Sequence, residues 1–158
     1  MSGSTTKKVV LERFDREPLR GYVNSQLWQQ LEGVELLAPD GVVGVIPFEQ
    51  VKAVCFVRDL DGPGVFSERR EFRARPKTAG LWIVCTFRDN DRLEGLILNN
   101  LLTLETSGVS LTPPDASGNT QKVFLPKSAL RSVEVAGVVG GRKRARRKVE
   151  EEAQITLF

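Results

Sequence analysis

The chain of 158 residues contains the same sequence pattern twice. Residues 9–23 are matched by residues 83–97, and residues 33–54 by residues 108–133, in the same order and with nearly the same spacing. Agreement at this many ordered positions indicates an internal duplication. The shared positions include glycines and prolines: Gly21 and Gly95, Gly33 and Gly108, Pro47 and Pro126. The sequence leaves open whether each copy closes its own barrel or both copies share one sheet.

Each copy has the pattern of short β-strands. Apolar and polar residues alternate in 9–11 and 83–87, as in half-buried strands, and turn residues follow both segments. The glycine in the second strand is typical of a bulge or a bend. A proline, which cannot donate a ladder hydrogen bond, ends the fourth strand, and a one-turn helical segment leads to the fifth. We therefore predict an all-β fold with about five strands per copy. Residues 25–31 fit either a short helix or a distorted strand end.

This pattern resembles the Sm-like barrel, the fold of the Sm proteins and of the bacterial RNA chaperone Hfq. The resemblance rests on VCTFRDNDRLEGLI (84–97), VFLPKSALRSVEV (123–135) and IPFEQVKAVCFV (46–57). It implies two tandem Sm/SH3-like barrels arranged as a pseudo-dimer. The whole chain also resembles an uncharacterised bacterial family with no established activity. The predicted organisation is a flexible N-terminus (1–6), repeat 1 (7–58), an arginine-rich linker (59–80), repeat 2 (81–139) and a flexible basic tail (140–158).

The residue types argue against an enzyme. The chain has no histidine, no CxxC pair and no glycine-rich phosphate loop, so we predict no catalytic residues, no cofactor and no metal. The acidic pairs Asp59/Asp61 and Asp89/Asp91 fit solvated turns. No apolar stretch is long enough to span a bilayer, and the N-terminus lacks an apolar signal segment. We therefore expect a cytoplasmic protein in which Cys55 and Cys85 are buried, reduced thiols.

The positive charge is concentrated in one segment. Residues 1–140 carry as many basic as acidic residues, and residues 141–158 supply the whole formal net charge of +3. The basic residues of this tail are Arg142, Lys143, Arg144, Arg146, Arg147 and Lys148. Such a run fits non-specific contact with DNA or RNA, contact with an anionic membrane surface, or a solvated tail without a ligand.

The linker carries a second basic cluster, formed by Arg69, Arg70, Arg73, Arg75 and Lys77. Arginine forks suit phosphate groups, and Phe66, Phe72 and Trp82 could offer stacking faces to unpaired bases. The alternative is a solvated connecting strand whose arginines pair with nearby carboxylates such as Glu68 and Glu71.

The last five residues are Gln154, Ile155, Thr156, Leu157 and Phe158. They resemble the peptide with which bacterial replication and repair proteins bind the DNA sliding clamp. The resemblance implies that Gln154 makes polar contacts, that Thr156 is a small spacer, and that Leu157 and Phe158 fill an apolar pocket. The alternatives are a strand that covers a sheet edge, or a peptide for another partner.

Three functions follow from these features. The first is a non-enzymatic, nucleic-acid-associated accessory protein that docks on the sliding clamp through its C-terminal peptide. The second is an Sm-like RNA-binding module that uses the linker arginines. The third is an interaction scaffold whose barrels pair through open edges, which would give a homo-oligomer, and which binds another protein.

Overall fold

The structure is a computed structural model that describes residues 5–97 and 107–140. These residues form ten β-strands and short 3₁₀ turns, at Phe48–Gln50, Val65–Ser67 and Lys127–Ala129. The strands are β1 (Thr6–Arg13), β2 (Arg16–Asn24), β3 (Gly33–Leu37), β4 (Val43–Pro47), β5 (Val51–Val57), β6 (Gly80–Phe87), β7 (Arg92–Ile97), β8 (Gly108–Leu111), β9 (Thr120–Pro126) and β10 (Leu130–Val139). The all-β prediction is confirmed, as are the prolines that end β4 and β9.

The strands form two antiparallel sheets. One has seven strands in the order β4-β3-β2-β1-β5-β9-β8, and the other has three in the order β10-β6-β7. A single bridge between Leu96 and Thr112 connects β7 with the loop after β8. Within residues 5–97 and 107–140 the sheets do not close into a barrel. The arrangement as two tandem barrels therefore stays a prediction.

Strand pairing repeats between the two halves of the chain. Val9 lies opposite Gly21 on β2 and Phe56 on β5. The matching residue, Ile83, lies opposite Gly95 on β7 and Val135 on β10. The irregularity in the pairing of β1 with β5 also recurs between β6 and β10, where the register shifts next to Leu130. The two halves that match in sequence therefore also pair their strands at equivalent residues.

The two halves share a sheet and a core. β5 from the first half pairs with β9 from the second, with Cys55 opposite Val123. One buried cluster combines Val10 and Cys55 with residues of β6 such as Ile83. A second cluster, around Trp28 of the first half, includes Phe124 from β9. The two halves therefore share the seven-stranded sheet and a buried cluster.

The glycines in β2 and β7 do not mark bulges. The register of β1 with β2 is unbroken at Gly21, and that of β6 with β7 is unbroken at Gly95. A Cβ at Gly21 would lie 2.4 Å from the Leu37 carbonyl oxygen, and one at Gly95 would lie 2.6 Å from a Leu111 methyl group. These glycines allow a neighbouring strand to approach closely.

Residues 25–27 form a turn and not a helix. The Asn24 side-chain oxygen accepts the backbone N–H groups of Gln26 and Leu27, which fixes the turn. Gln29 then forms an isolated bridge with Val34. This path directs Trp28 into the core, where only 8% of its surface is exposed.

The cysteines are free and buried, as predicted. Burial raises the pKa of Cys85 to about 12 and raises the pKa of Cys55 further, because a thiolate is costly in an apolar environment. Both side chains are therefore protonated thiols at neutral pH. In the described residues, no helix has the length and hydropathy needed to cross a membrane.

Candidate nucleic-acid interface

A groove lies where the two halves of the chain meet. It encloses about 410 Å³ and is called the junction groove below. Its lining residues are Lys7, Ser25, Trp28, Gln29, Phe56, Ser110, Gln121 and Lys122. β1, β5 and the turn after β2 contribute from the first half, and β8 and β9 contribute from the second. The pairing of β5 with β9 therefore creates this site.

The aromatic side of the junction groove is held by ring packing. The Trp28 ring centroid is 5.0 Å from that of Phe124 and 5.8 Å from that of Phe56, and both contacts are edge-to-face. Phe124 is fully buried, whereas Phe56 is half-buried. The contacts hold Trp28 in one orientation and leave part of the Phe56 ring accessible at the groove.

The charge of the junction groove is positive. Lys7 and Lys122 are exposed, and none of the described residues that line the groove is acidic. Lys122 lies opposite Phe56 in the pairing of β5 with β9, so an ammonium group and an aromatic ring share one wall. Gln121 adds an exposed amide. Cationic groups beside an aromatic face are the combination that binds the phosphates and bases of a single strand.

Sequence reasoning missed the junction groove. Lys7 and Lys122 belong to different repeats and lie far apart in the sequence. Phe56 reads as a core residue in an apolar run. Phe56 and the two lysines come together only because β5 pairs with β9, and the sequence does not show this pairing.

The linker arginines lie in an irregular segment and not in a connecting strand. Arg69, Arg70 and Arg73 line a shallow cleft of about 360 Å³ together with Glu71 and Phe72. Arg69 donates to the Pro114 carbonyl oxygen, and Arg75 donates to that of Val138 over 2.5 Å. Arg70 is 4.0 Å from a carboxylate oxygen of Asp91, and Lys77 is exposed. The structure thus gathers three of the five basic residues, and two linker arginines bind backbone carbonyls.

Carboxylates fix the linker to the second half. Glu68 accepts the backbone N–H groups of Asn119 and Thr120. Glu94 accepts the Phe72 backbone N–H at 3.0 Å and the Trp82 indole N–H at 3.1 Å. Trp82 also packs edge-to-face on Phe72, and this contact holds both rings in place. Of the carboxylates in the alternative interpretation, Glu68 accepts backbone N–H groups, whereas Arg70 lies 4.0 Å from Asp91, a carboxylate of the second half.

A buried lysine joins the first half to the turn between β6 and β7. The Lys52 ammonium group lies 2.7 Å from Asp89 and 2.5 Å from Asp91, and only 9% of the side chain is exposed. Aromatic rings surround it, with the Phe66 centroid at 4.4 Å and those of Phe87 and Phe14 slightly farther away. We call these six residues the Lys52 cluster. Asp89 and Asp91 lie at the turn with 39% and 45% of their side chains exposed, which agrees with the predicted solvated turn, but both also pair with a buried cation that the sequence did not reveal.

The Lys52 cluster changes the acidity of nearby carboxyl groups. Burial acts to raise the pKa of Asp89, but the hydrogen bonds from Lys52 and from the Asp91 backbone N–H outweigh it and lower the pKa. Burial raises the pKa of Glu12, while the charges of Lys52 and Arg20 partly oppose that rise. The ionised form of Asp89 is therefore favoured by the fold.

The remaining predicted site residues lie outside the described residues. These are the basic run at 142–148 and the C-terminal peptide at 154–158. In the part of the chain that the structure describes, no group of three or more Cys, Asp or Glu residues is placed to hold a metal ion.

The comparisons with known proteins identify a family. The model of DUF6982, a family of unknown function, matches residues 5–137, which include strands of both halves. The chain belongs to the DUF6982 family. Neither the curated proteins nor the solved structures gave a match. The DUF6982 match covers the junction groove, the linker and the Lys52 cluster, so all three lie within the segment that defines the family.

Proposed function

We propose that this protein is a non-enzymatic, nucleic-acid-associated accessory protein that binds single strands in the junction groove. The observation that carries the proposal is the pairing of Phe56 with Lys122 beside Lys7, in a groove whose described lining residues include no acidic side chain. Phe56 would stack on a base, and the two ammonium groups would contact flanking phosphates. The basic run of the tail would add contacts of the same kind.

The finer fold proposal is two tandem Sm/SH3-like barrels in a pseudo-dimer. It is supported by five strands in each half and by the repetition of their registers. The order β4-β3-β2-β1-β5 in the first half, with the last strand paired to the first, also supports it. The function proposed here rests on the side chains of the groove and not on the fold.

Binding to single strands should depend on the groove lysines. We expect K7Q/K122Q to weaken binding of a labelled oligothymidylate or oligouridylate and to reduce the salt dependence. The slope of log affinity against log salt should fall by about 0.7 for each lost phosphate contact. F56A should weaken binding about fivefold, which corresponds to roughly 1 kcal/mol for one stacked base. Fluorescence anisotropy over a salt series measures both effects.

The matched control is R16Q/R92Q, which removes two positive charges from exposed positions outside the groove. Equal weakening by both double variants would show that only overall charge matters and would contradict a site in the groove. A further variant, with Arg69, Arg70, Arg73 and Arg75 changed to glutamine, tests the linker alternative. If that variant alone loses binding, the linker surface is the binding site.

The C-terminal peptide favours a second activity, docking on the sliding clamp. Its support is the sequence Gln154–Phe158, whose polar anchor and terminal apolar pair fit a short peptide that fills a pocket. The last strand among the described residues ends at Val139, and residues 140–153 lie between it and the peptide in the sequence. The same molecule could therefore hold DNA and the clamp at separate sites.

Calorimetric titration of the full chain with purified clamp tests this docking. We expect binding at micromolar concentrations and a loss of at least tenfold in affinity for L157A/F158A, because this variant removes the two apolar side chains that would fill the pocket of the clamp. V149A, an apolar truncation outside the pentapeptide, should leave affinity unchanged. Absence of binding by the unmodified chain would end the clamp hypothesis without affecting the groove.

A further inference from the structure

A small cavity in the first half shares no described lining residue with the junction groove. It encloses about 240 Å³ and is called the Tyr22 pocket below. Its described lining residues are Thr6, Tyr22, Val23, Asn24, Glu35, Leu37 and Val43. They come from β1, β2, β3 and β4, so one half of the chain builds this second concave site.

An apolar row forms one side of the Tyr22 pocket. Tyr22 lies opposite Leu37, and Leu37 lies opposite Val43, so the three side chains share one face of the sheet. Leu37 is 38% exposed and Val43 is 57% exposed. Tyr22 is half-buried and adds an aromatic ring. This row offers accessible apolar surface to the alkyl chain of a small ligand.

Glu35 gives the Tyr22 pocket a carboxylate. It is half-buried and lies two residues from the β3 member of the apolar row, on the same face of the sheet. The Gln30 side-chain amide donates to Glu35 over 3.4 Å, which is long for a hydrogen bond. No described lysine or arginine forms an ion pair with Glu35. Lys8, opposite Tyr22 on β1, donates to the Arg58 carbonyl oxygen instead.

The internal duplication shows that the strands do not need this combination of side chains. Tyr22 and Glu35 correspond to Leu96 and Ser110, which occupy the same register positions on β7 and β8. The second half therefore forms equivalent strands without an aromatic ring or a carboxylate at these positions. The pairing of a ring with a carboxylate is a property of the first half that the shared fold does not explain.

We propose that the Tyr22 pocket binds an alkylammonium group, supplied by a free polyamine or by a lysine side chain of a partner protein. Glu35 pairs with the ammonium group, and the Tyr22 ring adds a cation–π contact. Leu37 and Val43 pack on the alkyl chain. A bare metal ion fits less well, because Glu35 is the one acidic residue among the described lining residues and such ions take several oxygen ligands. The proposal does not depend on nucleic-acid binding.

Because the chain contains one tyrosine, the Tyr22 pocket can be observed directly. The full chain labelled with 3-fluorotyrosine gives one fluorine resonance, and n-butylammonium at millimolar concentrations should shift it to saturation. E35Q should weaken this binding about fivefold, because the amide carries no charge. The matched control is E32Q, which changes an exposed carboxylate outside the pocket and should leave the affinity unchanged. n-Butanol, which has the same chain without the charge, should bind as weakly as n-butylammonium binds to E35Q.

A second variant tests the site without removing Glu35. V43K places a lysine where the second half carries Lys122, and its ammonium group should pair with Glu35 and abolish the shift. Circular dichroism checks that both variants keep their strands. No shift with n-butylammonium, or equal affinity for the unmodified chain and E35Q, would overturn the proposal. Spermidine and Nα-acetyl-lysine methylamide distinguish the two sources, since the tighter of the two identifies a free polyamine or a lysine side chain as the ligand.

Discussion

Replacing Asp89 and Asp91 together by asparagine is expected to lower the free energy of unfolding by about 3 kcal/mol at neutral pH. Asparagine keeps an oxygen that can accept from Lys52 and from the turn backbone, but it removes both counter-charges. The Lys52 ammonium group, 9% exposed in its side chain, would then be a buried cation without a paired anion. Urea denaturation followed by tryptophan fluorescence measures the loss.

Two controls separate this effect from a general effect of turn substitutions. D115N changes an aspartate that also lies in a turn, where Ser117 donates to it, and should cost far less. K52M should cost less than the double substitution, because a thioether packs on Phe66 while the two aspartates, both more than a third exposed, remain hydrated. A K52M loss equal to that of D89N/D91N would show that the packing of the side chain matters, and not its charge.

The stability difference between the unmodified chain and D89N/D91N should decrease at acid pH. Because the fold lowers the pKa of Asp89, its contribution is complete above the unfolded pKa of about 3.9 and is lost as the pH falls through the lower folded value. The stability difference between the unmodified chain and D89N/D91N should therefore be constant near neutrality and shrink below about pH 4. A difference that grows in acid would contradict this ion pair.

The second large effect is expected for G108A, which should destabilise the protein by about 3 kcal/mol. A Cβ at this position would lie 2.1 Å from the Leu125 carbonyl oxygen. β9 cannot move away easily, because β5 holds its other edge and Phe124 is buried in the core. The substitution therefore strains the junction between the halves. Chemical denaturation gives the magnitude.

The repeat supplies the matched comparison for G108A. Gly33 has the same conflict, with a Cβ 2.0 Å from the Ile46 carbonyl oxygen, but β4 is an edge strand among the described residues and can shift. We expect G33A to cost about 1 kcal/mol. G44A, where a Cβ meets nothing, should be neutral or stabilise by about 0.5 kcal/mol. Equal losses for G33A and G108A would show that β9 is not held more firmly than β4.

Much of the fold could be predicted because its signals are local. Alternation of apolar residues, turn residues after β1 and β6, and the prolines at the ends of β4 and β9 each act over a few residues. The sequence shows that Gly21 and Gly95 occupy equivalent positions, but it does not show why glycine is needed there. The reason is an atom of another strand, the Leu37 carbonyl oxygen or the Leu111 side chain, that lies where a Cβ would be. The sequence likewise does not decide between a helix and a strand end at residues 25–31, because the burial of Trp28 in the core determines the backbone conformation of this segment.

The candidate site was less predictable. Lys52 and the pair Asp89/Asp91 are 37 or more residues apart and look like ordinary surface charges in the sequence. Lys7 and Lys122 likewise come from opposite halves. The linker arginines were visible as a cluster, yet their hydrogen bonds to the Pro114 and Val138 carbonyls depend on where those loops fold.

The sequence by itself determined that this chain is a duplicated all-β protein with a charged C-terminal segment. Tertiary structure alone decided that β5 pairs with β9, that one core crosses both halves, and that Phe56 meets Lys122 in a groove. The physical reason is that periodicity fixes which face of a strand is buried, whereas the partner of each strand edge is chosen by long-range hydrogen bonding and packing. Local sequence patterns therefore do not indicate that β4 and β10 are edge strands among the described residues.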